Sequence, residues 1–338
     1  MMAGRQNGRS VGIPQLSWLG WLLITVLLLG VLGYAAYRQA LSANAVAVLN
    51  GADKLLRGGD GPIRLVAAER YGPDPAQKIE MFLPAAGSVA AKPPLPVLVF
   101  IHGGGWSAGD PHDYTFIART LAPRGYAVVL AGYRLFPAER FPAMLEDGAG
   151  ALRWVADNAA AHGGDPARVV VMGHSAGAYN AAMLALDRRW LAQQRLSADH
   201  LRGVVALAGP FDFFPFDTEA TINSFGQAGD AEATQPIAHA RAGAPPLLLI
   251  HGTADTRVKP RNSVALARAL TTAGAPTHAI LLDKVTHEGL IMMFARPFSG
   301  DARALDAVLP FLAQVTGPAT RSRAPAAAAS PRVQAAGR

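Results

Sequence analysis

From residue 97 onward the chain alternates short, wholly apolar runs with longer segments of helical periodicity. The apolar runs lie at 97–101, 127–130, 169–172, 204–207, 247–250 and 279–282. Because polar residues do not alternate with apolar ones inside these runs, they are typical of parallel strands buried on both faces. The helical segments lie between or after them, at 114–121, 143–160, 176–187, 261–273 and 302–314. This alternation predicts an α/β fold with a mostly parallel central sheet and helices on both faces.

The segments around this alternation set the expected limits of the folded domain. Two extended segments, at 63–71 and 78–83, precede it, and a weak helix or linker lies before them. Residues 211–240 interrupt the alternation with few regular signals, which we interpret as a small insertion over the sheet. The sequence therefore predicts a linker over 38–62 and one domain over 63–316.

The chain is basic, and its excess positive charge lies at its two ends. It holds 31 Lys and Arg against 24 Asp and Glu, a formal charge of +7. Residues 1–38 and 317–338 together contain seven arginines and no acidic residue, so the part between them is balanced. A nucleic-acid-binding domain needs a basic face on its folded part, so we expect no nucleic-acid partner. Residues 1–17 are interpreted as a basic N-terminal segment and 317–338 as a disordered basic tail.

Residues 18–37 form the longest apolar stretch of the chain. A helix of 20 residues spans about 30 Å, the thickness of a bilayer's hydrocarbon core, and tryptophans and tyrosines stand at its two ends. The stretch predicts an uncleaved, single-pass transmembrane anchor. A cleavable signal peptide, with Ala43-Asn-Ala45 as its cleavage site, is the main alternative, and a buried core helix is another. Arg5 and Arg9 favour an N-terminus inside, and hence a folded domain on the periplasmic or extracytoplasmic side.

The run at 169–172 leads directly into Gly173-His-Ser-Ala-Gly177, which opens a helical segment rich in small residues. This strand–turn–helix setting is the one that a G-x-S-x-G nucleophile elbow requires. In it the glycines permit a sharp turn, and the serine is exposed above the end of the strand. We therefore predict Ser175 to be a catalytic nucleophile, with an ordinary strand-to-helix turn as the alternative.

A serine hydroxyl becomes a good nucleophile when a histidine takes its proton and a carboxylate orients that histidine. On this kind of fold the chain order is Ser, acid, His. Asp255 follows the run at 247–250, and His287 follows the run at 279–282. We predict Ser175, Asp255 and His287 to form a catalytic triad. Asp283 is the rival acid, and the other nearby histidines are expected to orient backbone; these are His102, His174 and His251.

His102-Gly-Gly-Gly-Trp106 comes directly after the run at 97–101. In this position a glycine loop presents N–H groups to the oxyanion of a tetrahedral intermediate. The predicted oxyanion hole consists of the N–H groups of Gly104, Gly105 and Ala176. The chain has no cysteine, which excludes thiolate nucleophiles and cysteine metal sites. Phosphate-binding glycine motifs are also absent from the sequence, and we expect no metal and no cofactor.

With these motifs the sequence resembles the esterase/lipase group of α/β-hydrolases, which includes hormone-sensitive-lipase-like and feruloyl-esterase-like carboxylesterases. The resemblance covers about residues 63–315. The Trp after the triple glycine is similar to the kynurenine-formamidase branch and to isoprenylcysteine methylesterases. One departure is Gly132, where such relatives often carry Asp, so a supporting contact is expected to be missing. Further shared segments are Tyr133-Arg-Leu-Phe-Pro137, Phe141-Pro-Ala143 and Glu146-Asp147.

The resemblance implies a serine esterase that cleaves small-molecule carboxylic esters through an acyl-enzyme, and the apolar stretch at 18–37 adds the expectation that it is anchored in a membrane. An arylformamidase is the alternative within enzymes, and a non-catalytic, membrane-tethered binding protein is the alternative from another class. Trp106, Phe211 and Phe214 are predicted to line an apolar substrate pocket, although these aromatic residues would also suit simple packing of the insertion. The sequence does not indicate the oligomeric state.

Overall fold

The structure is a computed structural model that describes residues 17–88 and 92–317. The chain divides into two compact units at Val48 and Leu49. Helix α1 covers Trp18–Leu56, with non-helical backbone at Asn44. The predicted basic N-terminal segment and the predicted disordered tail lie, except for Ser17 and Gly317, outside the described residues.

The predicted transmembrane anchor at 18–37 is not supported. Within the part of the chain that the structure describes, no helix is both long and apolar enough to cross a membrane. The prediction separated a span at 18–37 from a linker at 38–62, whereas helical residues extend to Leu56 and are interrupted by non-helical backbone at Asn44. The predicted orientation depended on that anchor and stays untested.

Within 17–88 and 92–317, eight strands, numbered along the chain, form one sheet in the order β1-β2-β4-β3-β5-β6-β7-β8. Strands β3 to β8 pair in parallel, and β2 is antiparallel to both of its neighbours. The mostly parallel α/β architecture predicted from the apolar runs is therefore confirmed. The strands are β1 (Ile63–Arg70), β2 (Lys78–Pro84), β3 (Leu95–Ile101), β4 (Ala127–Ala131), β5 (Gly164–His174), β6 (Gly203–Leu207), β7 (Leu247–Gly252) and β8 (Thr277–Leu282).

The helices follow the strands closely and cover the sheet. After α1 they are α2 (Thr115–Leu121), α3 (Ala143–Asn158), α4 (Ala176–Leu186), α5 (Arg188–Gln193), α6 (Glu219–Phe225), α7 (Arg261–Thr272), α8 (His287–Met292) and α9 (Arg303–Thr316). The chain moves one way across the sheet from β3 to β4 and the other way from β4 to β5. Because parallel crossovers are right-handed, α2 and α3, which make these two connections, lie on opposite faces of the sheet.

The connections from β3 and from β5, two parallel neighbours in the sheet, lead towards opposite edges of the sheet. From β3 the chain goes to β4 on one side, and from β5 it goes to β6 on the other. Ile101 at the end of β3 pairs in register with Gly173 near the end of β5. In open α/β sheets such a switch point leaves a crevice at the carboxyl ends of the strands, where ligands bind. The segments that follow β3 and β5 begin with His102 and Ser175.

The core consists of the central strands and the helices packed on them. All residues of β4, β6 and β7 are buried, as the apolar runs within them predicted. Among the described residues, three helices were not predicted, namely α5, α6 and α8, each of six or seven residues. Their sequences show no clear helical period. Helix α6 lies in the predicted insertion and begins with a capping box at Thr218.

The last turns of α1 are joined to the segment that follows α8. The buried carboxylate of Asp53 accepts hydrogen bonds from Arg57 Nε at 2.8 Å, Arg119 Nη1 at 2.9 Å and the N–H of Arg296 at 2.7 Å. A buried carboxylate held by two guanidinium groups and a backbone N–H is electrically compensated. This residue therefore fixes the chain just beyond the helix that begins at His287.

Candidate active site

Ser175 lies at the turn between β5 and α4 in a conformation that few non-glycine residues adopt. Its φ is 54° and its ψ is −121°. Its N–H donates to the carbonyl of Leu207 at 2.8 Å, which anchors the turn to the neighbouring strand β6. Backbone strain of this kind persists where the surrounding structure enforces it, and it is found often at functional sites. The turn has the geometry that the G-x-S-x-G spacing predicted.

Asp255 and His287 are in direct contact. His287 Nδ1 lies 2.7 Å from Asp255 Oδ2, and both side chains are almost fully buried. Asp255 follows β7, and His287 is the first residue of α8, after β8. Asp283, the rival acid, is exposed and lies 3.3 Å from the hydroxyl of Thr253. Of the two carboxylates, Asp255 is therefore the one that orients His287.

The carboxylate of Asp255 is saturated with hydrogen-bond donors. Its Oδ1 accepts from the N–H groups of Arg257 and Val258, both at 2.9 Å. Its Oδ2 lies 3.2 Å from His251 Nε2, in addition to His287. Burial alone would raise the pKa of Asp255, but hydrogen bonds from His251 and His287 outweigh it and hold this pKa well below its usual range. Asp255 is thus an anion at neutral pH although it is buried.

Two other buried histidines stay neutral and hold backbone at the site. Burial lowers the pKa of His102 to about 4 and, together with the nearby His287, lowers the pKa of His174 to about 3. Nδ1 of His102 lies 2.7 Å from the carbonyl of Gly103, and Nε2 of His174 lies 3.1 Å from the carbonyl of His287. Both geometries agree with the expected role of orienting backbone.

His174, the residue before Ser175, packs against His287, so that Ser175 and His287 lie at the same edge of the sheet. The rings of His174 and His287 are 4.8 Å apart between centroids, and Ser175 is the next residue after His174. Ser175 Oγ makes no hydrogen bond to any residue in the described part of the chain, His287 included. Catalytic hydrogen bonds are often long in unliganded enzymes and shorten when substrate binds. The hydroxyl of Ser175, which is half-buried, therefore has no hydrogen-bond partner among the described residues.

The glycine loop that contains two of the predicted oxyanion donors comes close to Ser175. A Cβ placed on Gly103 would lie 3.3 Å from Ser175 Cβ, so the glycine loop passes directly over the turn. The N–H groups of Gly104, Gly105 and Ala176 make no hydrogen bond to an acceptor within 17–88 and 92–317. Ala176 is the first residue of α4, whose N-terminal dipole adds a partial positive charge. These N–H groups are therefore available to a bound anion or carbonyl oxygen.

Gly104 occupies a position that excludes any side chain. Its φ is +116°, and a Cβ there would lie 1.9 Å from the carbonyl oxygen of Ala108. That carbonyl belongs to a tight turn in which the N–H of Ala108 donates to the oxygen of Gly104 at 3.1 Å. The glycine in the motif is thus required by backbone geometry.

The three aromatic residues predicted to bind substrate are not gathered in one place. Trp106 is buried in an aromatic cluster, Phe211 is fully buried, and Phe214 is about half exposed, with 52% of its surface accessible. Phe211 is fixed by backbone bonds to the Asn262 side chain and to the N–H of Ile237. The structure therefore places only Trp106 next to the glycine loop, and Phe211 serves packing.

Sequence reasoning missed the partners of Trp106. Its ring packs against Phe213, Phe225 and Tyr179, with centroids 4.8 to 6.3 Å apart. Its indole N–H donates to Asn180 Oδ1 at 3.2 Å. Tyr179 and Asn180 lie one turn after Ser175 on α4, a spacing that could have signalled them, whereas Phe213 and Phe225 come from the insertion. The insertion thus forms one wall beside the glycine loop.

A second buried carboxylate supports the loop that follows β4. Asp147 Oδ1 and Oδ2 accept from Arg134 Nη2 at 2.8 Å and Arg134 Nε at 2.9 Å, and Oδ1 accepts from Gln77 Nε2 at 2.7 Å. The N–H of Phe136 in the same loop donates to the carbonyl of Trp106 at 2.8 Å. Asp147 therefore stabilises the segment on which Trp106 rests.

The departure at Gly132 has a steric reason. A Cβ at Gly132 would lie 2.4 Å from the carbonyl oxygen of Ala76. The Gly132 carbonyl accepts from the hydroxyl of Tyr71 at 2.6 Å, and its N–H donates to Lys78 at 2.9 Å. An aspartate side chain has no room here, and the backbone of β2 and Tyr71 supply the support instead.

The described residues offer no group of three or more His, Cys, Asp or Glu side chains placed to hold a metal ion. A surface cleft of about 600 Å³ lies at the amino ends of β5, β6 and β7, and includes Arg202 and Pro246. Because this end of the sheet is opposite to Ser175, Asp255 and His287, the cleft is not part of the candidate active site.

Comparisons with known proteins identify the family of this chain and several of its relatives. The BD-FAE family model matches residues 80–270, which is more than half of the chain. A probable isoprenylcysteine alpha-carbonyl methylesterase of Arabidopsis thaliana is 27% identical over 246 residues, covering 66% of this chain and 50% of that protein. Carboxylesterase NlhH of Mycobacterium tuberculosis is 47% identical over 92 residues, covering 27% of this chain and 29% of that protein. The chain spans half or less of the length of these two relatives.

Solved structures share the fold. Esterase B from Lactobacillus rhamnosis superimposes with a TM-score of 0.65 at 22% identity, covering 84% of this chain and 95% of that one. At this level of identity the likeness shows the architecture alone.

Proposed function

Because this chain belongs to the BD-FAE family, within the esterase/lipase α/β-hydrolases, we propose that it is a serine carboxylesterase. Its nucleophile is Ser175, its base is His287 and its acid is Asp255. The observation that carries the proposal is the 2.7 Å contact between Asp255 and His287 at the sheet edge where the strained turn presents Ser175. Relatives named as esterases support the same reaction class.

In the first half of the reaction, Ser175 Oγ attacks the carbonyl carbon of an ester. Its proton passes to Nε2 of His287, whose Nδ1–H is held by the anionic Asp255. The imidazolium that forms is stabilised by that buried carboxylate, which keeps its own negative charge. The carbonyl oxygen becomes an oxyanion and accepts hydrogen bonds from the free N–H groups of Gly104, Gly105 and Ala176.

Collapse of the tetrahedral intermediate breaks the bond to the alcohol, which takes the proton from His287. The acyl group remains on Ser175 as an ester. Water then loses a proton to His287 and attacks this acyl-enzyme, and the carboxylic acid leaves as Ser175 recovers its proton. The cycle needs no metal and no organic cofactor.

The surroundings of the glycine loop favour an uncharged ester. Trp106, Phe213 and Phe225 form a buried apolar cluster next to this loop. An uncharged acyl or alcohol group would lose little solvation there, whereas a charged one would lose its hydration without a partner. The proposed substrates are therefore small-molecule carboxylic esters.

The experiment compares the full-length chain with its Ser175→Ala variant on p-nitrophenyl acetate and butyrate, with Ser299→Ala as a control. Ser299 is exposed and lies away from the proposed triad residues in sequence. We expect Ser175→Ala to lower kcat by about 10³-fold or more and Ser299→Ala to retain wild-type rates. A fluorophosphonate probe should label wild type and the control, but not Ser175→Ala. Wild-type rates in Ser175→Ala would refute the proposal.

A further inference from the structure

A second histidine touches the carboxylate that orients His287. His251, the next-to-last residue of β7, is fully buried and places Nε2 3.2 Å from Asp255 Oδ2. The same nitrogen lies 2.9 Å from the carbonyl oxygen of Val258. Its other nitrogen, Nδ1, lies 2.8 Å from the hydroxyl of Ser263, which is also fully buried. The mechanism above leaves this pair unused.

The partners of His251 determine which nitrogen carries its proton. A carboxylate oxygen and a carbonyl oxygen only accept hydrogen bonds, so Nε2 must be the N–H that faces both. A serine hydroxyl can donate, so Ser263 supplies the hydrogen bond that a neutral Nδ1 accepts. Ser263 lies in the first turn of α7, which packs on β7 and β8. A hydroxyl can both donate and accept, so the two acceptors at Nε2 set the tautomer and Ser263 pairs the nitrogen that is left without a proton.

We propose that His251 is a positioning residue for the triad acid and that Ser263 holds His251 in place by donating to its Nδ1. This inference rests on the proposed function. The Nε2–H of His251 holds Asp255 Oδ2 where it accepts the Nδ1–H of His287, and it withdraws negative charge from that oxygen. The same N–H of His251 also bonds the carbonyl of Val258, and the N–H of Val258 bonds Asp255 Oδ1. His251 thereby also fixes the loop that holds Asp255.

The effect on the pH dependence follows from charge. Without the donor of His251, Asp255 keeps more negative charge on Oδ2 and attracts the imidazolium form of His287 more strongly. The base then holds its proton to higher pH, so the acid-side midpoint of the kcat/KM profile moves up.

Other ionisable groups around Asp255 and His287 belong to four segments: the end of β5, the loop after β7, α8 and the loop after β8. His174 at the end of β5 contacts the His287 carbonyl. Arg257 and Glu288 form an exposed ion pair at 2.9 Å across the loop and α8. The remaining groups are Asp283 and Lys284, both exposed, in the loop after β8. All of these stay unchanged in the variants below, so a shift in the profile reports on His251.

The experiment measures kcat, KM and pH profiles of the full-length chain as wild type and as His251→Leu, His251→Gln and Ser263→Ala, with His278→Gln on the exposed face of β8 as the control. We expect His251→Leu to lower kcat by about tenfold or more with KM within about twofold, and to raise the acid-side midpoint by about half to one pH unit. His251→Gln, which keeps an N–H donor, should lie closer to wild type. Ser263→Ala should shift the midpoint in the same direction by less.

A midpoint that stays at the wild-type pH in His251→Leu and Ser263→Ala, with activity lost equally at all pH values, would overturn the proposal. Circular dichroism and fluorophosphonate titration show whether His251→Leu folds. If it does not, the acid-side midpoints of His251→Gln and Ser263→Ala test the proposal, and midpoints equal to that of wild type would overturn it.

A readout without catalysis separates this proposal from the proposed function. The proton shared by Asp255 and His287 should give a low-field NMR resonance that moves in His251→Leu and in Ser263→Ala. Lack of esterase activity in wild type refutes the proposed function, whereas an unmoved resonance in both variants refutes the positioning role.

Discussion

Two buried carboxylates, Asp255 and Asp147, show how one chemical group serves different ends in this molecule. Both are 2 to 3% exposed and both accept several hydrogen bonds. Asp147 faces the permanent cation of Arg134, which clasps both of its oxygens. Asp255 faces two backbone N–H groups and two imidazoles. Of the two carboxylates, Asp255 is the one without a guanidinium ligand.

The difference in ligands explains the difference in role. The charge of Asp147 is neutralised in the resting protein, so its contribution is to the stability of the loop after β4. The charge of Asp255 has no permanent counter-ion in contact, and it becomes useful when His287 takes up a proton. A buried anion held by neutral donors is thus a marker of chemistry, and one held by arginine is a marker of structure.

The largest effect expected from breaking this comparison is on catalysis. Asp255→Asn keeps the volume of the side chain but replaces an acceptor with an amide, so His287 is no longer held in its productive tautomer. We expect kcat on p-nitrophenyl butyrate to fall by roughly 10⁴-fold, with a folded protein by circular dichroism. A fall of less than tenfold would contradict the assignment of Asp255 as the acid.

The next effect is on stability, at the other carboxylate. Asp147→Asn removes the buried bidentate partner of Arg134, whose guanidinium is about one-fifth exposed and keeps only the half-exposed carboxylates of Glu139 and Glu146. We expect the free energy of unfolding to fall by about 3 kcal/mol, measured by urea denaturation. Asp157→Asn is the matched control, because Asp157 pairs with Arg153 on the exposed side of the same helix, α3. That change should cost less than about 1 kcal/mol, and equal losses in both variants would contradict the comparison.

The smallest effect is on the pH dependence of stability and comes from the two neutral, buried histidines of the candidate active site. His102 and His174 have folded-state pKa values of about 4 and about 3, below the ordinary value of 6.5. The unfolded chain therefore binds more protons below pH 6.5, and stability is lost as the pH falls towards the folded-state values. We expect the free energy of unfolding to drop by about 2 kcal/mol between pH 6.5 and pH 5.5, measured by urea midpoints. A midpoint that is constant or rises towards pH 5.5 would contradict the burial of neutral imidazoles.

Most of the fold was predictable because its signals are local. Each apolar run is long enough to indicate burial on both faces, and the segments after β3 and β5 contain the glycines that their turns require. The short helices α5, α6 and α8 were missed because their sequences show no clear helical period, although α2, with seven residues, was predicted. The predicted transmembrane anchor is the main expectation at the N-terminus that the structure does not support.

In the candidate site, too, some residues were predictable from the sequence and others were not. Chain order along a parallel sheet is enough to select Ser175, Asp255 and His287, because successive strands deliver their carboxyl ends to one edge. The contact of His251 with Asp255, the hydroxyl of Ser263 behind it and the ring of Phe225 against Trp106 depend on packing between segments. No spacing in the sequence encodes such distances.

The sequence by itself determined the alternation of strands and helices, the strained turn at Ser175 and the glycine loop at Gly104, because these follow from short-range sterics and hydrophobic pattern. Only the tertiary structure decided that Phe214 is exposed while Phe211 is packed, and that Asp147 has an arginine where Asp255 has histidines. The physical reason is that burial and electrostatic partners are properties of atoms brought together from distant parts of the chain.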